Sequence, residues 1–93
     1  MARLHATIRS AVGLQRRRRR LTQRQLGDLV GVSRQTVTEL ETGDYNPSTA
    51  LALRLAVVLD VCIQELFWLA DDELTQLQER LTALHQTEET TRA

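Results

Sequence analysis

The sequence predicts an all-α fold: five short helices closing one domain, followed by an additional C-terminal helix. Three observations predict it. Leu, Val and Ala supply most of an apolar content of 42%, and the only aromatics are Tyr45, Phe67 and Trp68, which suits packed helices rather than a sandwich of strands. A single Pro and four Gly leave few breaks in 93 residues. Apolar residues also recur at helical spacing in one segment after another. The length suffices for one domain with a modest core.

Leu4, Ile8 and Val12 recur at i, i+4 and i+8, so a first helix is expected from about Ile8 to Arg19, with Val12 and Ala11 turned inward. The run Arg16–Arg20 follows. Five adjacent cations on a helix point all round it, and near a C-terminus they complement the macrodipole. They read either as a solvated helix end or as phosphate contacts; a nuclear localisation signal has no other support.

The stretch Gln23 to Glu41, QRQLGDLVGVSRQTVTELE, organises the chain. It reads as two amphipathic helices joined by a tight turn. Thr22 is placed to cap the first, which leaves Gln23 in its first turn beside amides that favour a phosphate oxygen. Leu26, Leu29 and Val30 have the spacing of one buried face. Gly31 suits a left-handed helix end, and Ser33 is a good N-cap for the second helix. Gly27 leaves room for the helices to cross closely. Val37 and Leu40 then anchor the second helix, which leaves Arg34, Gln35, Thr36, Thr38 and Glu39 facing outward. Those side chains can donate to or accept from base edges and phosphates. Together with the turn geometry, they point to DNA reading rather than to a merely structural hairpin.

Gly43, Asn46 and Pro47 punctuate a loop. Ser48 or Thr49 then caps a helix to about Leu59, whose face Leu51, Leu55, Val58 and Leu59, with Ala52 and Ala56, is wide enough to close over the hairpin. Asp60 and Val61 break it, and Ile63, Leu66 and Phe67 mark a short fifth helix. Beyond lies a segment over residues 70–86 in which Leu74, Leu77, Leu81 and Leu84 form an a/d seam. It is expected either to fold back on its own domain or to mediate dimerisation. Asp71, Asp72 and Glu73 stand in its first turn, where the macrodipole favours acids. The expected organisation is a domain over residues 1–69, this helix over 70–86, and a disordered tail over 87–93.

The formal net charge of zero hides a split. Residues 1–40 hold nine Arg against Asp28 and Glu39, whereas residues 41–93 hold three Arg against ten acids. One basic face suits a polyanion. Cys62 is alone, so no intramolecular disulfide is possible. Its apolar run VCI suggests a small buried hydrophobe, with a redox switch as the alternative. His5 and His85 stand near opposite ends of the chain and form no metal-ligand cluster with it. No run of about 18 apolar residues suggests a membrane span, and the N-terminus lacks the apolar core of a secretory signal, so a cytoplasmic protein is expected. Paired carboxylates, nucleophile–base sets and phosphate loops are missing, so neither an enzyme nor a cofactor is expected.

From about Val12 to Phe67, LTQRQLGDLVGVSRQTVTELETGDYNPS and LALRLAVVLDVCIQELF resemble the lambda repressor-like, Cro/CI-type (XRE) helix-turn-helix family of transcriptional regulators. The resemblance covers roughly 55 residues and implies a five-helix DNA-binding domain that acts as a dimer on an operator. It places Gln23 on phosphate, Arg34, Gln35, Thr36 and Thr38 in the major groove, and Asn46 near the DNA backbone. The chain departs from the pattern at several positions. Gln15 replaces a small apolar residue, and Arg20 stands where Gly is frequent, so the first helix is expected to end differently. Glu39 and Asp44 put acids where neutral or basic residues are usual, and Glu39 would accept from a cytosine amine or weaken phosphate attraction. Cys62 replaces the Ser or Thr cap of the fifth helix.

The expectation is therefore a DNA-binding regulator, acting as a homodimeric repressor. Its base contacts would be Arg34, Gln35, Thr36, Thr38 and Glu39. Its phosphate contacts would be Gln23, Ser33, Asn46 and Arg16, Arg17, Arg18, Arg19 and Arg20. Double-stranded DNA is the expected partner. Two alternatives add or substitute a protein partner: an antitoxin or controller that represses its own operon, and an adaptor that has kept only the fold.

Overall fold

The helix starts are built from local chemistry. The computed structural model describes residues 8–92; Leu4, His5 and Ala93 lie outside the described residues. Thr22 caps α2 (Gln23–Val30) in a reciprocal box: its Oγ1 accepts from the Gln25 amide at 3.0 Å, and its own amide donates to Gln25 Oε1 at 2.8 Å. Ser33 caps α3 (Arg34–Thr42) and Ser48 caps α4 (Thr49–Leu59), each hydroxyl accepting from an amide one turn on at 3.1 Å. Gly31 and Gly43 close α2 and α3 at φ 82° and 83°, the left-handed region that glycine enters most easily. Gly27 faces the turn that leads into α3: a Cβ there would stand 2.6 Å from the Val32 carbonyl oxygen, well inside contact distance.

The helical core is one cluster: Val12 from α1 (Val12–Arg18), Leu26 and Val30, Val37 and Leu40, Leu51, Leu55 and Leu59, and Leu66 from α5 (Ile63–Leu66). The fold is thus the expected all-α arrangement, with one addition. Ile8–Ser10 is not the start of the first helix. It forms β1, which pairs antiparallel with β2 (Phe67–Leu69) in the register Ile8↔Leu69, Arg9↔Trp68 and Ser10↔Phe67. Ile8, Phe67 and Trp68 are strand-favouring types. The Ser10 hydroxyl accepts from the Val12 amide at 3.1 Å, which fixes the helix start two residues later. Phe67 accordingly leaves the fifth helix and opens the strand.

Two burial expectations fail. Leu29 is 59% exposed. At about 100° per residue, the buried arc runs through Leu26, Gly27 and Val30, because Gly27 faces the backbone of the Val32–Ser33 turn; Leu29 lies beyond its edge. Cys62 is exposed too. It occupies the N-cap of α5, outside the helix, and gives no side-chain cap bond. Leu66 takes the core position instead.

The final helix, α6, runs Asp71–Arg92; TEETTR contains no Gly or Pro to stop it. Its leucines Leu74, Leu77, Leu81 and Leu84 are all exposed, so α6 does not bury its seam on its own domain. A helix of 22 residues spans about 33 Å, and it accounts for a chain 59 Å long and 19 Å thin. Among the described residues, no helix is long and apolar enough to cross a membrane.

Candidate nucleic-acid interface

The outer face of α3 is set by what its inner face buries. With Val37 and Leu40 in the core, Arg34 and Gln35 are fully presented, and Thr38 and Glu39 stand at the margins. Gln35 Nε2 donates to Glu39 Oε1 at 3.4 Å, one turn on, so the carboxylate steadies a candidate base-reading amide. Thr36 is partly buried, with its Oγ1 3.0 Å from Ser33 Oγ. Both hydroxyls therefore serve the helix start as well as facing outward.

Thr38 Oγ1 has two acceptors, the Arg34 carbonyl at 3.1 Å and Gln23 Oε1 at 3.4 Å. The second ties the middle of α3 to the first turn of α2. Gln23 Nε2 in turn donates to Glu41 Oε1 at 3.4 Å. Glu41 also receives Arg16 Nε at 2.7 Å and Nη2 at 3.1 Å, while Arg16 Nη1 donates to the Leu21 carbonyl at 2.8 Å. A continuous chain of polar contacts thus joins α1, the start of α2 and α3. The hydrogen bond to Glu41 raises the Arg16 pKa; burial opposes that shift, and Coulombic attraction from Glu41 adds to it.

This arrangement separates the arginine run. Arg16, expected among the phosphate contacts, is turned inward: its side chain is 13% exposed and paired with Glu41. Arg17 is exposed and lines one cleft with Gln23, Thr38 and Thr42, beside α3. Arg18 is exposed at the last turn of α1. Arg19 turns to the far end of α4, where Nη2 lies 3.5 Å from Asp60 Oδ2. Arg20 takes φ 58°, the left-handed conformation in which glycine is usual, and so ends the helix turn itself. Asn46 is exposed in the loop after α3.

Sequence reasoning passed over three residues at this surface. Thr42 is exposed at the end of α3, and its Oγ1 has two acceptors within reach, the Glu39 carbonyl at 3.2 Å and Asp44 Oδ2 at 3.3 Å. Arg9 and Trp68 are brought beside it by the ribbon. The strand-favouring FWL after a very short helix was the available signal for the ribbon. Among the described residues, no cluster of His, Cys, Asp and Glu could hold a metal.

The helix-turn-helix family model matches residues 14–66. The chain is 43% identical over 51 residues to the uncharacterised HTH-type transcriptional regulator YgzD of Bacillus subtilis, covering 55% of this chain and 77% of that one. It is 41% identical over 66 residues to an uncharacterised HTH-type transcriptional regulator of Methanothermobacter thermautotrophicus, covering 70% of this chain and 96% of that one. Among solved structures, it is similar in fold to the clp gene regulator ClgR of Corynebacterium glutamicum. That likeness has a TM-score of 0.55 at 22% identity, over 88% of this chain and 80% of the other.

Proposed function

The chain belongs to the Cro/CI-type helix-turn-helix family of DNA-binding transcriptional regulators, and we propose that it is a sequence-specific, cytoplasmic repressor working as a homodimer. The observation that carries this reading is the presentation of α3: Arg34 and Gln35 are exposed on its outer face, while Thr38 contacts Gln23 in the first turn of α2. In the proposed complex α3 lies in the major groove, with Arg34, Gln35, Thr38 and Glu39 reading base edges and Thr36 beside them at the helix start. Gln23, Ser33, Asn46, Arg17, Arg18 and Arg20 contact phosphates and set register. Arg19 joins them only by leaving Asp60, an exposed pair worth little.

Dimerisation is assigned to α6. Its leucine seam is unburied within the chain, and a two-fold dimer presents two copies of α3 to successive major grooves. The test is selection from a pool of random duplex DNA at two salt concentrations. An enriched palindrome with half-sites about 10 bp apart is the expected result; weak, salt-sensitive binding without enrichment would overturn the reading.

A second reading, an antitoxin or controller that also binds a protein, is favoured by one observation. Leu29, Leu53 and Val57 form an exposed apolar patch on the α2–α4 face, with Val57 80% exposed. Co-purification of one stoichiometric partner, lost in Val57→Asp, would favour it.

A further inference from the structure

The β1–β2 ribbon lies outside the helical reading unit, yet it stands at the end of the reading helix. Arg9 and Trp68 are directly opposed in its antiparallel register, so their side chains share one face. Both are exposed, Trp68 by 46%. Trp68 walls a cleft of about 420 Å³ together with Arg17, Gln23, Thr38 and Thr42. Arg9 and Trp68 together wall a second cleft, of about 370 Å³, against Thr42 and Gly43. The ribbon's outer face is therefore continuous with the surface that carries the proposed phosphate and base contacts. Glu41 lines both clefts, but its charge is offset by Arg16 at 2.7 Å. Asp44 is the nearby exposed acid on the loop after α3.

A half-exposed indole paired with a guanidinium has the chemistry of a sugar-phosphate clamp. The guanidinium suits a phosphate, and the flat apolar ring suits the deoxyribose beside it. We propose that the ribbon is a second DNA-contacting element: Arg9 pairs with a phosphate and Trp68 packs on the adjacent sugar, on the backbone bordering the groove that α3 enters. The proposal rests on the DNA reading above. The clamp adds affinity and fixes register without choosing bases.

Trp68 is the only tryptophan in the sequence, so its emission reports on the ribbon alone. The full chain is titrated with the duplex enriched in the selection above, following both indole emission and the anisotropy of a label on the DNA. Emission is expected to change and to saturate with the anisotropy. Arg9→Gln is expected to lower the log–log salt slope by about 0.9, with base preference retained, and Trp68→Phe to weaken binding less than Trp68→Ala. Tight binding with unchanged emission and an unchanged Arg9→Gln slope overturns the clamp while leaving the DNA reading intact. A selection that enriches no duplex overturns the DNA reading, and the clamp with it.

Discussion

Arg16 and Glu41 meet at 2.7 Å across the domain, with side chains only 13% and 12% exposed. Glu41 stands on the same helix as Gln35, and Arg16 also holds the carbonyl of Leu21, just before the cap of α2. The pair therefore fixes the reading helix against the two helices behind it. Removing one partner leaves a largely buried charge uncompensated. Arg16→Met or Glu41→Leu alone should lower stability by about 1–2 kcal/mol, between the values for exposed and buried pairs, seen as a lower urea midpoint at unchanged m-value. The double variant should recover much of that loss; two additive losses would show that the residues do not act as a pair. Arg16 titrates above the ordinary arginine range in the folded chain. A raised folded pKa contributes stability that is fully present below the unfolded value and lost only as pH rises through the folded one. The arginine's share should thus be flat across neutral pH and fall only in strong alkali.

Arg20 sits at φ 58°, a conformation that costs a non-glycine residue roughly 1–2 kcal/mol. Arg20→Gly relieves it, less about 0.4–1 kcal/mol for the freer unfolded chain. The net gain should be about 0.5 kcal/mol, raising Tm by about 2–4 °C. If Arg20 also contacts a phosphate, the same variant lowers the salt slope by about 0.9. Calorimetry and a salt titration therefore read its two roles separately.

Gln35 is exposed, and its side chain makes a long hydrogen bond to Glu39. Gln35→Ala should weaken specific binding by roughly 1–3 kcal/mol and relax one operator position. Equal losses on specific and non-specific duplexes would remove it from base reading. Arg17→Gln and Arg18→Gln should each take about 0.9 from the salt slope; an unchanged slope would return those side chains to solvent.

Leu77 and Leu81 are exposed on consecutive turns of α6. Leu77→Asp with Leu81→Asp should convert a dimer to a monomer in sedimentation, with the helical domain's melting retained. Operator affinity should fall steeply, because a palindrome is then read one half at a time. A dimer that survives both changes would place the interface elsewhere.

Much of this architecture was legible because it is local. Thr22, Ser33 and Ser48 cap from within three residues of the amides they satisfy, and Gly31 turns left-handed for reasons internal to its own backbone. The inner face of α3 follows from the spacing of Val37 and Leu40 alone, so the outer face with Arg34 and Gln35 follows as well. What the local pattern misjudged depended on a neighbour. Leu29 satisfied the helical period, but the buried face of α2 is the one where the Val32–Ser33 turn closes on Gly27, and Leu29 falls outside it. Ile8 satisfied it too, but pairing with Leu69, far along the chain, claimed it.

The amino-acid order by itself determined the caps of α2, α3 and α4, the glycine turns that close α2 and α3, and the inner face of α3, because those depend on residues within a turn or two of one another. Only the tertiary structure decided which arginine of five identical neighbours becomes internal. Arg16 differs from Arg17 and Arg18 solely in the direction it points from α1, and its partner Glu41 lies 25 residues away. The same holds for Arg9 and Trp68, which face one another only because β1 and β2 close at the end of α3. Long-range pairing sorts chemically identical side chains into structural and exposed roles, and that sorting leaves no local pattern to read.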